Sequence, residues 1–459
     1  MKSMYSKHFA GIAMAFFAAI FTHSLFAQEV PIQHLRQYDK RGINVFETPK
    51  DDTVKYDGFK LRIGANFTQG YQTLHHSNTS GVALYNLSSG FPLAMANLNI
   101  DAQLEDGVRV QVISYLSSHH HNETWVKGGY LQIDKVGFMK SDLLNKLWKN
   151  LTLKVGHMEI NYGDAHFRRS DGGNTFWNPF MENNIMDAFT TEIGGELYFR
   201  KNGFIAMYGM TNGEIQGSVS GAGKRSPSIY GKLGYDKVLG ERKRIRVTGS
   251  FLTKASSVSG TLFQGDRTGS NYNYAMEPAN ATLTGNPFSG RLHPNLTDNV
   301  ATAVVNPFVK YGGLELFGTF EFAQGNTAVE NGTVQYAPTV AGAPPLNKLS
   351  NRHFNQEAVD LLYRFGKGEK FFVGGKFNTV KGTQVFNQST NTTTAGGINQ
   401  GTRADVTVTR VSANAGWFVT KKILIKGEYV TQKYSGFPTT DILAGGKFSG
   451  FVFQGSIAF

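Results

Sequence analysis

The chain has no cysteine, only 13 prolines in 459 residues and, beyond residue 30, no long apolar run. Without cysteine there is no disulfide framework, no thiolate metal centre and no cysteine nucleophile. Without a stretch of roughly 18 apolar residues there is no membrane-spanning helix. Anything that holds this chain in a bilayer must therefore be strands. Aliphatic residues are also scarce. Hydrophobic residues reach only 40%, yet aromatics reach 13%, with 35 Phe and 19 Tyr. A water-soluble core would combine so many rings with more aliphatic side chains. A wide barrel would not, because half of each strand faces lipid and half faces the bore.

Catalytic patterns are missing as well. There is no G-x-S-x-G, H-E-x-x-H or P-loop, and the glycines at Gly312–Gly313 precede no helix that could cradle a phosphate. His119, His120 and His121 form one run and His75 and His76 another, but no spaced carboxylate completes a metal site. Both read as solvated loop histidines. No catalytic set, no metal and no cofactor is expected.

At the N-terminus, Lys2 and Lys7 precede an uncharged stretch from Phe9 to Ile20, which continues to Phe26 and Ala27 before Gln28 and Glu29. A basic start, a short Ala-rich apolar centre and a small residue at the boundary read as a signal peptide over 1–27. Its removal takes two lysines and no acid from the formal charge of +12, leaving +10. Export makes nucleic acid an improbable partner, so the basic excess points to anionic surfaces or solutes.

The rest of the chain alternates with a period of two, as strands do. Phe59, Leu61, Ile63, Ala65 and Phe67 interleave with Lys60, Arg62, Gly64, Asn66 and Thr68. Leu98, Ile100, Ala102 and Leu104 interleave with Asn99, Asp101 and Gln103. Many such segments run about ten residues, longer than the five or six usual in globular proteins. Strands are expected at 59–71, 93–104, 107–117, 124–135, 150–161, 190–201, 203–212 and 226–236. Eight more are expected at 243–254, 304–312, 313–323, 354–366, 370–381, 404–418, 422–434 and 448–459. The connections alternate between short ones, such as Glu105–Asp106 and Thr420–Lys421, and long ones at 72–92, 162–189, 255–303, 324–353 and 382–403. These features predict an all-β fold, a transmembrane antiparallel barrel of about sixteen strands over 59–459. Residues 28–58 are expected as a periplasmic extension, with a short plug as the alternative.

The last strand alternates Phe451, Phe453, Gly455, Ile457 and Phe459. It resembles the assembly signal of bacterial outer-membrane proteins, and the mature chain resembles general and phosphate-selective porins of Gram-negative envelopes. That resemblance implies residence in outer-membrane lipid, a homotrimer, and a loop between the fifth and sixth strands that folds inward to narrow the channel. Here that loop spans Asn161 to Thr190, and Asp164, Arg168, Arg169, Asp171 and Glu182 are its charged constriction candidates. The 255–303 loop competes for the role by length.

Strand parity assigns the wall. Lys60, Arg62, Arg109, Lys154, Lys232, Arg246, Lys376, Arg410 and Lys426 are expected to line the pore. Asp101, Glu196, Glu315, Glu321, Asp360 and Glu428 share their face. The expected function is passive diffusion of small hydrophilic solutes with a mild preference for anions, phosphate among them. The alternatives are a plugged structural or secretion-partner barrel and, less favoured, an outer-membrane lipase or protease.

Overall fold

A computed structural model describes residues 29–116, 125–213, 225–257, 260–265, 267–332, 347–390 and 398–459. Residues 1–27 and the run His119–His121 lie outside them.

The first strands are β1 (Lys60–Ser77), β2 (Met95–Glu105), β3 (Val108–Leu116), β4 (Trp125–Ile133), β5 (Leu151–Glu159) and β6 (Thr191–Lys201). Then follow β7 (Phe204–Thr211), β8 (Ser228–Gly240), β9 (Lys243–Ser256), β10 (Asp298–Tyr311), β11 (Leu314–Asn326), β12 (Arg352–Phe365) and β13 (Phe371–Phe386). A two-stranded flap, β14 (Ser389–Thr390) and β15 (Ile398–Asn399), stands outside the wall, which ends with β16 (Thr402–Thr420), β17 (Ile423–Ser435) and β18 (Lys447–Ala458). Sixteen of these strands pair in sequence order into one closed antiparallel barrel, and β1 pairs β18 to complete the circle. Each of the sixteen expected segments overlaps one of them. Closure leaves no open edge, the condition for strands to cross a bilayer. At the seam Ala65 and Phe459 exchange both backbone hydrogen bonds at 3.0 Å. One connection is helical: α1 (Asp142–Trp148) is capped by Ser141, whose hydroxyl accepts from the Leu144 N–H.

The outer surface explains why the wall holds. Leu314, Leu316, Ile423, Ile425, Phe451, Phe453 and Ile457 all point outward, between 37% and 49% exposed. Lumen-parity residues are closed off, as with Gln454 at 3%. Aromatic rings gird the short-turn rim, with Phe365 stacked on Phe371 at 5.6 Å and Phe371 on Trp417 at 6.2 Å. This is the interfacial girdle of a membrane barrel.

The alternation then inverts along several strands. Towards the long loops the outward positions turn polar, with Asn355, Glu357 and Lys381 exposed on β12 and β13. The inward positions turn apolar there: Leu74, Val300, Phe354, Val380, Val408 and Val430 are all buried. Lipid-contacting polarity therefore occupies the short-turn ends of the strands, and water-soluble polarity the long-loop ends. For this reason β1 runs on to Ser77 rather than 71, β13 to Phe386 rather than 381, and β10 starts at Asp298 rather than 304. Where the apolar face changes side, a period-two signal cancels.

A charge on the outside of one strand should reveal the boundary. Leu361→Arg in β12 should lower stability by about 2–4 kcal/mol, and Asn355→Arg by less than about 1. Denaturant unfolding from lipid vesicles measures both, and equal losses would remove the boundary.

Candidate functional site in the barrel bore

Three stretches of chain occupy the bore. The first is the segment from 29 to 58, expected as an extension with a plug as the alternative. It crosses the short-turn mouth. Glu29 pairs with Lys422 at 2.9 Å, the Lys40 N–H donates to the Lys421 carbonyl at 3.1 Å, and Lys40 Nζ donates to the Glu369 carbonyl at 2.8 Å. On the other side of the mouth, Gln33 Nε2 donates to Asp106 at 3.0 Å and Lys50 Nζ to the Asp134 carbonyl at 2.5 Å. These partners lie in four different inter-strand turns. Between its anchors the segment dips inward: the Tyr38 hydroxyl donates to Asp101 at 2.9 Å, and Phe46 packs edge-on to Phe308 at 5.4 Å.

The second stretch is 160–190, which joins β5 to β6. The Asp164 N–H donates to Asn306 Oδ1 at 2.8 Å on β10. The loop then crosses to β1 and β2, where Thr68 Oγ1 donates to the Gly173 carbonyl at 2.8 Å and Gly172 sits at φ +57°. A side chain on Gly173 would collide with the Asn66 carbonyl and Ala96 Cα, so only glycine permits this approach. From there the loop follows β17, β16, β13 and β12. Lys426 Nζ donates to the Thr175, Asn178 and Phe180 carbonyls, and Asn378 accepts from the Ile185 N–H.

The third stretch, 257–297, lies above the second at the long-loop end. The Tyr272 hydroxyl donates to Glu428 at 2.5 Å, and Arg291 pairs with Glu182 at 2.8 Å and Asp187 at 3.1 Å. Met181, Ile185, Tyr272 and Leu292 join the inward apolar residues of the wall in one buried cluster. Both loops considered for the constriction are thus inside the barrel.

The wall cations hold these stretches in place. Arg246 grips Asp164 through Nε at 2.7 Å and Nη2 at 2.8 Å, and pairs through Nη1 with Glu47 at 2.7 Å and Asp236 at 2.9 Å. Lys232 pairs with the same Asp164 at 2.8 Å and with Glu47 at 3.4 Å. Thus β8 and β9 tie the N-terminal segment and the first loop to one point. Burial alone would raise the Asp164 carboxyl, but the Arg246 and Lys232 charges overcome it and hold it below the usual carboxylate range. Arg410 donates to the Asn183 and Gly290 carbonyls, both at 2.7 Å, and so holds both loops. Arg62 faces Asp101 at 3.7 Å, and Lys376 faces Asp360 at 3.7 Å. Lys60 pairs with Asp57 at the rim, 2.7 Å away, outside the bore proper.

The loop candidates are paired as well. Arg168 lies 3.8 Å from Glu315 and 5.0 Å from the Phe317 ring centre, and Arg169 pairs with Asp187 at 2.8 Å. Asp171 pairs with Lys127, and Glu182 with Arg291. Each is buried or nearly so, with its charge taken up locally. At His76 both ring nitrogens are engaged, by the Tyr85 carbonyl and the Met276 N–H. Among the described residues no group of three or more His, Cys, Asp or Glu is placed to hold a metal.

A cavity of about 190 Å³ remains against β2–β6, bordered also by the N-terminal segment and the 160–190 loop. Arg36, Arg109, Lys127, Lys154 and Arg200 bring five cations to its lining; Glu47, Glu159 and Asp171 bring three acids. Parity on β6 turns Arg200 inward with Glu196, whereas Lys127 sits at a register shift in β4 that breaks the alternation set by Tyr130 and Gln132. Arg36 and Glu47 come from a segment without periodicity and have no such signal.

Losing Asp164 removes the nearer acid from Lys232 and the two-point partner from Arg246, leaving both on Glu47 and Arg246 on Asp236, so Asp164→Asn should lower stability by about 3 kcal/mol. The lowered Asp164 carboxyl also sets a direction with pH. Its contribution is complete above the ordinary aspartate value of about 3.9 and falls away below it, as the folded carboxyl protonates. Unfolding midpoints of the native chain and Asp164→Asn, compared from pH 7 to pH 2, should converge at the acid end. A constant difference would contradict the ion-pair account.

No protein-family model and no curated protein matches the chain. Solved structures resemble it in outline. An anion-selective porin from Comamonas acidovorans is 10% identical, with 87% of this chain and 100% of that one covered and a TM-score of 0.48. The outer membrane channel DcaP of Acinetobacter baumannii is also 10% identical, with 88% and 99% covered and a TM-score of 0.48. OmpT, an outer membrane protein of Vibrio cholerae, in its trimer form, is 10% identical, with 88% and 100% covered and a TM-score of 0.46. The likeness is one of overall shape.

Proposed function

We propose that the chain is exported, inserts in the outer membrane, and forms a narrow channel for small hydrophilic solutes with a mild preference for anions, phosphate among them. The observation that carries this reading is the one-sided cavity, with its five cations against three acids beside β2–β6. A charged space of about 190 Å³ within a lipid-facing wall suits a permeating solute better than a purely structural plug. Low dielectric walls concentrate the field of those cations and raise the local concentration of anions. The constriction in this reading is the gap between the N-terminal segment, the 160–190 loop and the wall. Self-association belongs to the same reading. β2–β7 are only 8–11 residues long whereas β8–β13 and β16–β18 run 12–19, so the low side of the wall favours cover by further copies, as a homotrimer supplies.

A second reading, a plugged structural barrel, is favoured by the apolar cluster at the long-loop end, where Met181, Ile185 and Tyr272 pack against the wall. Conductance separates the two. Purified protein in a planar bilayer should give small steps, with a reversal potential in a salt gradient displaced towards anions. Deleting residues 29–50 should raise the step size several-fold. Silence from both proteins would favour the plugged barrel, and a cation-directed reversal potential would remove the anion preference.

A further inference from the structure

Arg109, on β3, is 4% exposed, and its guanidinium is only half used. Nη2 donates to Gln132 Oε1 at 2.7 Å and to the Tyr130 hydroxyl at 3.2 Å. Nε and Nη1 are buried with no hydrogen-bond partner among the described residues. A buried charged donor left unmatched is costly, and such a group in a folded protein calls for a ligand or an ion. Beside it on β5, Lys154 Nζ stands 4.5 Å from the centre of the Tyr130 ring, while the Arg109 guanidinium stands 5.5 Å from the same centre. The carboxylate facing Lys154 within the wall is Glu196, at 3.5 Å. Two cations thus flank one ring, and both line the cavity.

Beside polar side chains such as Asn99, Gln111 and Asn161, the lining also carries a set of aromatic rings. Tyr38, Phe46, Phe167, Trp177 and Tyr198 surround the space together with Tyr130. Trp177 is itself fixed by the Arg36 guanidinium, 3.6 Å from its ring centre. Unmatched donors at one end, with ring surfaces among the polar groups beside them, suit a solute with an anionic head and a flat apolar body. A bare phosphate would leave the rings against water or empty space. A neutral aromatic would leave Arg109 unmatched.

We propose that this cavity is a binding site for small organic carboxylates with an aromatic or similarly apolar body, with Arg109 and Lys154 receiving the carboxylate and Tyr130 lying between them. Charge-assisted hydrogen bonds to carboxylate are about twice as strong as neutral ones, and dry surroundings strengthen them further. The inference deepens the channel reading by naming a solute class, yet binding is read without transport. A barrel that binds but does not conduct would sink the channel and keep the site.

The test is titration calorimetry on the full chain folded in detergent, with benzoate, inorganic phosphate and benzyl alcohol as probes. Benzoate should bind saturably, at least tenfold tighter than either other probe. Arg109→Gln and Lys154→Gln should each weaken it tenfold or more, and Lys433→Gln, on the outer surface, should leave it unchanged. If Arg109→Gln fails to give the heat-modifiable folded band, Arg109→Lys and Lys154→Gln carry the comparison. Phosphate bound as tightly as benzoate, benzyl alcohol bound as tightly as benzoate, no saturable benzoate binding, or affinity unmoved by both cavity substitutions would each overturn the site.

Discussion

A guanidinium on the inner wall of a barrel must find a counter-charge, a carbonyl or water, and in this barrel polypeptide supplies most of what it finds. The knot of Arg246, Lys232, Asp164 and Glu47 is the point on which the interior depends. It draws residues 82 apart, Asp164 and Arg246, and the N-terminal segment into mutual contact. Each member would be strongly destabilising in isolation, because a charge removed from water needs compensation of comparable size. The same rule repeats at Arg410 and Lys426, which hold loop carbonyls in place of acids. The charged wall acts chiefly as scaffolding for what fills the bore, and on the β2–β6 side its cations also line a cavity.

The polarity of the strands shows why the barrel stands as it does. At the short-turn ends the outside is apolar, while the inside mixes charges with buried apolar groups such as Phe308, Phe372 and Leu424. At the long-loop ends the outside carries Glu357 and Lys381 while Phe354, Val380 and Val430 face inward on Met181, Ile185 and Tyr272. That half is built like a soluble barrel with a hydrophobic core. In the proposed channel the solute path runs beside the packed material, and the cavity under Arg109 and Lys154 is a place where the packing opens.

Sixteen strands were legible because lipid on one side and charge on the other impose a period of two over about ten residues. Lys232, Arg246, Arg410 and Lys426 were assigned inward by that parity, and all are buried. Parity says nothing about partners. The lumen charges read as a field acting on solutes, but Arg168 meets Glu315 and Arg169 meets Asp187, pairings that sequence spacing cannot supply. Nor could it show Tyr38, Phe46 and Glu47 reaching into the bore. Their segment has no regular pattern, and tertiary contacts alone place it.

The central claim is that, among the described residues, the 190 Å³ cavity in the bore lies against the β2–β6 wall. With no native cysteine, single cysteines can report it directly. His157→Cys faces the cavity from β5, and Asn414→Cys replaces a residue on β16 that donates to the Pro179 carbonyl at 2.6 Å. In the membrane-inserted protein a small anionic thiosulfonate should modify position 157 quickly and position 414 at least tenfold more slowly. Equal rates at the two positions would show a bore open on both walls and contradict the account.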